Sequence, residues 1–240
     1  MARKYSYNFS LPKRGKKNIK FIIIHYTGMK NESSAINRLC DPRSKVSSHY
    51  FIKNNGNIIK LVPELYEAWH AGMSSWKKFE LLNKYSIGIE IHNPGHENKY
   101  RKFSKKQISS LIKLLQYLSR KYRISAKDII GHSDIAPNRK KDPGEKFPWS
   151  LLAKKKLSIW HCLSDNEIKF HRNLKISTKD EVLFIKNLYK IGYCKIKNAD
   201  SNINKKYLVK AFQRRFRQQL INGKIDQECF LISKSLKNFR

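Results

Sequence analysis

Two histidines and one carboxylate stand out as groups that could act together on a substrate. His25 ends the run Lys20–His25 (KFIIIH), a short β-branched stretch that reads as a buried strand closed by a turn at Gly28. A side chain at the point where such a strand leaves the core is held rigidly and can still reach a cleft. His132 ends a second run of the same kind, Asp128–His132 (DIIGH), and Asp142 follows in a loop with Pro143 and Gly144. Two His and one Asp with an open fourth position make a common catalytic zinc set, suited to attack on a carbonyl. Spacing alone does not decide for it, because the three residues are scattered rather than gathered in a compact helical motif.

The other histidines say less. His49 lies in a predicted strand, with a structural or cleft-lining role. His92 and His96 bracket an Asn-Pro-Gly turn, so their spacing is not that of a helix face, and His161 and His171 fall in a region without clear period. Trp69 and Trp76 could stack on a sugar or peptide, or pack in a core. The four cysteines, at 40, 162, 194 and 229, form no Cys-x-x-Cys motif, and free or structural thiols are expected.

Elements that would position these residues can be read around them. Asn31–Leu39 is a short helix candidate. His49–Lys53 and Asn57–Val62 flank Asn55-Gly56, a strong hairpin signal because both turn residues tolerate positive φ. Tyr85–Ile91 (YSIGIEI) reads as another strand. Ser104 to Tyr122 is the clearest helix, opened by a Ser104/Gln107 capping box, with Ile108, Leu111, Ile112, Leu115 and Leu118 on one face. Ser133–Pro148 is rich in Pro, Gly and charge and reads as a loop. Three short amphipathic helices follow, the first opened by a Thr178–Glu181 box. The second carries Leu208, Val209, Phe212 and Phe216, and the third Cys229, Ile232 and Leu236. The expected fold is α/β, a mixed β-sheet flanked by helices, followed by a small all-α three-helix domain. The boundaries expected are 1–162 for the first domain, 163–177 for a linker and 178–240 for the helices.

The segments FIIIHYTG, SSHYFIKNNGNIIKLVPE, AWHAG, SIGIEI and GHSDIAPNRKKDPGEKFPW occur in this order. Together they resemble the type 2 N-acetylmuramoyl-L-alanine amidases, relatives of the peptidoglycan recognition proteins, over residues 18 to 160. The GHSDIAP…KKDPG…FPW segment is the most specific. AFQRRFR and NGKID further on are similar, more weakly, to a peptidoglycan-binding module found in a two-domain, envelope-associated branch. The resemblance implies one zinc per chain on His25, His132 and Asp142. It implies Glu90 beside the metal as the group that handles protons, and Lys140 as the cation that stabilises a developing oxyanion, with Arg139 and Lys141 as rivals. It leaves His70, and with it Trp69, as substrate contacts or packing residues. The implied reaction is hydrolysis of the amide between the N-acetylmuramic acid lactyl group and L-alanine in peptidoglycan or muropeptides. A non-catalytic peptidoglycan receptor of the same fold is the first alternative, disfavoured because all three ligands are present.

The 240 residues carry 51 Lys+Arg against 18 Asp+Glu, a formal net charge of +33. The excess is +22 over residues 1–160 and +11 over 161–240, so it is no basic tail. Such a field favours anionic polymers, among them the carboxylate-bearing cell wall. A basic nucleic-acid-binding protein is the second alternative, but no recognised motif supports it, and the phenylalanines of AFQRRFR fit a helix core. No nucleic-acid partner is expected, and a monomer is. No transmembrane segment, signal peptide or lipidation cysteine near the start is visible. The resemblance points to the cell envelope or periplasm, the bare sequence to the cytoplasm. The C-terminal helices are expected to hold the enzyme on polymer and to do no chemistry.

Overall fold

The computed structural model describes residues 4–196 and 201–236. Residues 1–3 of the expected first domain, and 197–200 and 237–240 of the expected helical one, lie outside them. The centre is a five-stranded mixed sheet built from β1 (Phe21–Tyr26), β2 (Tyr50–Ile52), β3 (Ile58–Lys60), β4 (Ser86–Ile91) and β5 (Ile129–Gly131). Its order is β3-β2-β4-β1-β5, all neighbours parallel except the β2–β3 hairpin. That hairpin turns where Asn55-Gly56 predicted, with Gly56 at φ 87°.

Strand β1 is apolar from Phe21 to Ile24 because both its faces are covered there, as parallel strands require. Its residues alternate between two cores. Ile22 and Ile24 pack with Ile87 and Ile89 of β4 against α2 (Lys105–Tyr122), through Ile108, Leu111, Leu115 and Leu118. Phe21 and Ile23 face the other way. Helix α2 starts at the expected capping box, in which Ser104 accepts from the Gln107 amide and Gln107 accepts from that of Ser104. A third, smaller cluster seats α1 (Glu32–Cys40), capped by Asn31, on Phe51 and Leu61.

Three features differ from the sequence reading. The strand before His132 stops at Gly131, and His132 opens a one-turn helix, α3 (His132–Ile135). The segment 163–177, expected as a linker, follows α4 (Trp149–Lys154) and holds the short helix α5 (Asp165–Lys169). Its far end is bound to the C-terminal helices by an Arg172–Glu228 ion pair at 2.7 Å. Those helices are α6 (Thr178–Ile191), capped by Ser177 rather than Thr178, α7 (Ser201–Phe216) and α8 (Gln227–Leu236). They share one continuous core with the sheet: Phe184, Leu188, Phe212 and Phe216 cluster with Phe21, Ile23, Trp76, Ile130 and Ile135. Burying each such side chain contributes about 1.5–3 kcal/mol.

At the junction, the buried Arg215 of α7 pairs with the buried Asp134 of α3 at 2.7 Å and donates to the Ile129 carbonyl at 3.1 Å. Its guanidinium also lies 4.6 Å from the Trp149 ring. Tyr193 donates to the other Asp134 oxygen at 2.6 Å. The Arg215 bond to Ile129 meets a buried carbonyl of β5, the last strand on that side of the sheet, which lacks a neighbouring strand to satisfy it.

Candidate metal centre and active site

The site lies at the carboxyl ends of the central parallel strands, where open α/β sheets bind ligands. Register places its residues. Ile24 of β1 pairs with Gly131 of β5, so the next residues, His25 and His132, emerge side by side. His25 in turn pairs with Glu90 of β4. Asp142 is tied to the same spot by its main-chain carbonyl, which accepts from the Ser133 amide at 2.8 Å.

Three ligand atoms converge there. His25 Nδ1 lies 2.9 Å from His132 Nδ1 and 3.1 Å from Asp142 Oδ2, and His132 Nδ1 lies 3.0 Å from that oxygen. All three residues are buried. A tetrahedral zinc site with bonds of about 2.0–2.2 Å has ligand–ligand edges near ~3.3 Å, so the triangle is close to one face of such a site. The donor chemistry agrees. His132 Nε2 lies 3.2 Å from the Ala71 carbonyl, which only accepts, so Nε2 carries the ring proton and Nδ1 is a lone pair. A lone pair and a carboxylate oxygen then face each other at 3.0 Å, an arrangement that a cation satisfies and a hydrogen bond does not. Burial first, and His132 beside it second, lower the His25 pKa to about 4, which keeps that ring neutral and able to ligate.

Glu90 stands beside this triangle with one carboxylate oxygen, Oε2, buried and without a hydrogen-bond partner. Burial, reinforced by Asp142 and opposed by Lys140, pushes its carboxyl up to about 8. Of the three consecutive cations, Arg139 donates to the Met73 carbonyl at 3.0 Å and also to Ala71, and Lys141 pairs with Glu97 at 3.0 Å. Lys140 is the one whose charge is felt at both His25 and Glu90. Trp69 is half-buried, with its indole N–H donated to Ser10 at 2.9 Å. His70 is buried behind His25, its Nδ1 3.0 Å from His25 Nε2 and its Nε2 3.3 Å from Ser86 Oγ.

Some neighbours were invisible in the sequence. Tyr26 OH contacts His96 Nδ1 at 2.8 Å, and His96 Nε2 contacts Glu145 at 3.0 Å. These three come from one strand end and two loops, and no spacing links them. Ser86 and Gly88 lie within SIGIEI, where a glycine inside a strand does signal the close approach of another group. That group is the His70 ring.

A family profile described as N-acetylmuramoyl-L-alanine amidase matches residues 15–145, more than half of the chain. The amidase AmiD of Escherichia coli K12 is 34% identical over 230 residues, which cover 91% of this chain and 82% of that protein. The chain belongs to the N-acetylmuramoyl-L-alanine amidase family. As such an amidase it hydrolyses the bond between N-acetylmuramic acid and L-alanine. Solved structures of the family agree with the fold, including the helical C-terminal region. E. coli AmiD in complex with the substrate anhydro-N-acetylmuramic acid-L-Ala-D-gamma-Glu-L-Lys superposes with a TM-score of 0.79 at 33% identity, covering 95% of this chain and 91% of that one. AmpDh3 of Pseudomonas aeruginosa, in complex with anhydromuramic pentapeptide, gives a TM-score of 0.79 at 26% identity, covering 98% and 97%. Among the described residues of this amidase, no helix is long and apolar enough to cross a membrane.

Proposed function

We propose that this amidase acts on muropeptides and peptidoglycan with one zinc ion held by His25, His132 and Asp142. The observation that carries the reading is the buried triangle of three potential ligand atoms, from two imidazole rings and one carboxylate, 2.9–3.1 Å apart. Zinc bound there would supply a Lewis acid for the scissile carbonyl and would lower the pKa of water.

The chain's own residues supply the rest. Glu90 accepts the proton of the attacking water at its unpartnered Oε2 and hands it to the leaving amine of L-alanine. Lys140 holds positive charge where the carbonyl oxygen becomes negative, an interaction that strengthens only in the transition state. Arg139 braces the Ala71 carbonyl that orients His132. Trp69 and the Tyr26–His96–Glu145 group are the candidates to border the substrate.

The net charge of +33 suits a substrate whose stem peptides carry carboxylates, and the cell envelope is where such polymer is met. The cytoplasm, with soluble wall fragments, is the alternative, and fractionation against compartment markers separates the two. The test of the chemistry is metal analysis of the purified protein together with mass spectrometry of digested muropeptides. One zinc per chain and release of intact stem peptides are expected, and His25→Ala should lose both. A His25→Ala protein that keeps stoichiometric zinc would refute the ligand assignment.

A further inference from the structure

Behind the triangle, a chain of hydrogen bonds runs from the main chain to His25, and its direction can be worked out from the fixed end. The Leu82 carbonyl only accepts. Ser86 Oγ lies 2.5 Å from it, so the hydroxyl proton is committed there. What Ser86 then offers to His70 Nε2, at 3.3 Å, is a lone pair, and only an N–H can answer it. His70 therefore carries its proton on Nε2, and its Nδ1 is bare. A second proton would make His70 a buried cation whose ring contacts, His25, His49 and Ser86, carry no negative charge to offset it. The bare Nδ1 faces His25 Nε2 at 3.0 Å, so His25 donates there from Nε2. His25 Nδ1 is left as a lone pair, pointing at His132 Nδ1 and Asp142 Oδ2. Run in the opposite sense, the chain would leave Ser86 Oγ and the Leu82 carbonyl facing each other at 2.5 Å with no proton between them, and would put a proton into the middle of the triangle.

The His70 ring has no freedom to leave this arrangement. A Cβ on Gly88 would lie 2.4 Å from His70 Cγ, so the ring rests on bare backbone of β4. On its other side His49 meets it edge-on at 5.6 Å, itself held by the Gly88 amide, which donates to His49 Nδ1 at 3.0 Å. The main chain at 70–71 is pinned by Asn83, whose side-chain oxygen accepts from both amides.

We propose that His70 and Ser86 form a buried relay that fixes the ring proton of His25 on Nε2 and thereby sets how tightly the His25/His132/Asp142 site holds its metal. His70 is on this reading a positioning residue and touches neither substrate nor metal. The proposal rests on the zinc assignment made above, and the experiment separates the two.

Zinc affinity is measured by competition with a chromophoric chelator, alongside the melting of the metal-free protein and nitrogen-15 spectra of its histidine rings. His70→Phe keeps the ring-shaped packing and removes both nitrogens. It should bind zinc about 10- to 100-fold more weakly, the range for lost partners of metal-bound histidines. His70→Asn, which returns an oxygen close to the Nδ1 position, should recover most of the loss. Ser86→Ala should weaken binding less than His70→Phe. In the unsubstituted metal-free protein, His25 should show its proton on Nε2. Unchanged zinc affinity in a folded His70→Phe would overturn the relay and leave the triangle standing. If His70→Phe does not fold, the ring spectra decide, and a proton on His25 Nδ1 overturns the relay. Failure of the unsubstituted protein to bind one zinc, or zinc retained by His25→Ala, would instead overturn the ligand assignment beneath it.

Discussion

At the scale of single residues, the site separates groups that hold from groups that react. Glu90 has a free oxygen in a dry environment, which is a poor arrangement for stability and a useful one for moving a proton. Glu90→Gln should keep its zinc and lose about 10²–10⁴-fold in turnover on a soluble muropeptide. Metal analysis and kcat on the same sample check this, and near-normal kcat with full zinc would move the proton-handling role elsewhere. His25, His132 and Asp142 could be picked out from their residue types and placement, and Glu90 and Lys140 only through the family resemblance. Their convergence was not legible, because it follows from strand register, and register depends on partners that the sequence does not name. Whether His70 was a substrate contact or a packing residue stayed open, because AWHAG says nothing about Ser86, sixteen residues on, to which its ring is bonded.

At the scale of elements, most of the sheet was written in short β-branched runs, and β1, β4 and the β2–β3 hairpin lie where those runs predict. The α3 turn was missed because His132 sits at its first position, and four residues are too few to display a helical period. One contact between elements has a consequence in acid. Glu64, buried in the segment after β3, meets Tyr50 of β2 and Tyr122 and Lys121 of α2, as well as Lys60. Burial works to raise its carboxyl, but bonds from Tyr50, Lys60 and Lys121 outweigh that and hold it at about 2. The folded value is below the ~4.3 of an unfolded Glu, so its contribution is complete above about pH 5 and fades as pH falls toward 2. Both lysines are partly exposed, which discounts the gain to about 1–2 kcal/mol. Glu64→Gln should accordingly melt earlier than the parent at neutral pH, with the two curves converging in acid. A gap that persists unchanged at low pH would show that the carboxylate is not the source.

At the scale of the whole molecule, sequence reasoning treated the last helices as a separable module, since no catalytic motif falls after residue 161. The structure gives them a second role. They cover one face of the central sheet, and Arg215 reaches Asp134, two residues beyond His132. Removing one partner of a buried ion pair typically costs about 3–5 kcal/mol. Arg215→Ala should therefore lower the melting temperature by roughly 10 °C. A chain cut near residue 165 should lose its zinc site together with its fold. Full soluble turnover by such a truncated chain would return the helices to the role of a wall-binding appendage.

The shared core also bears on how the polypeptide is made. Synthesis proceeds from the amino end, and domains generally fold as units as they emerge. Here the core around Phe21, Ile23 and Ile130 is completed by α6, α7 and α8, and gains its last members only once α8, which runs to Leu236, has been translated. Until α8 has emerged, one side of the sheet stays wet and sticky, so the nascent chain passes through a long interval in which a chaperone is its natural cover.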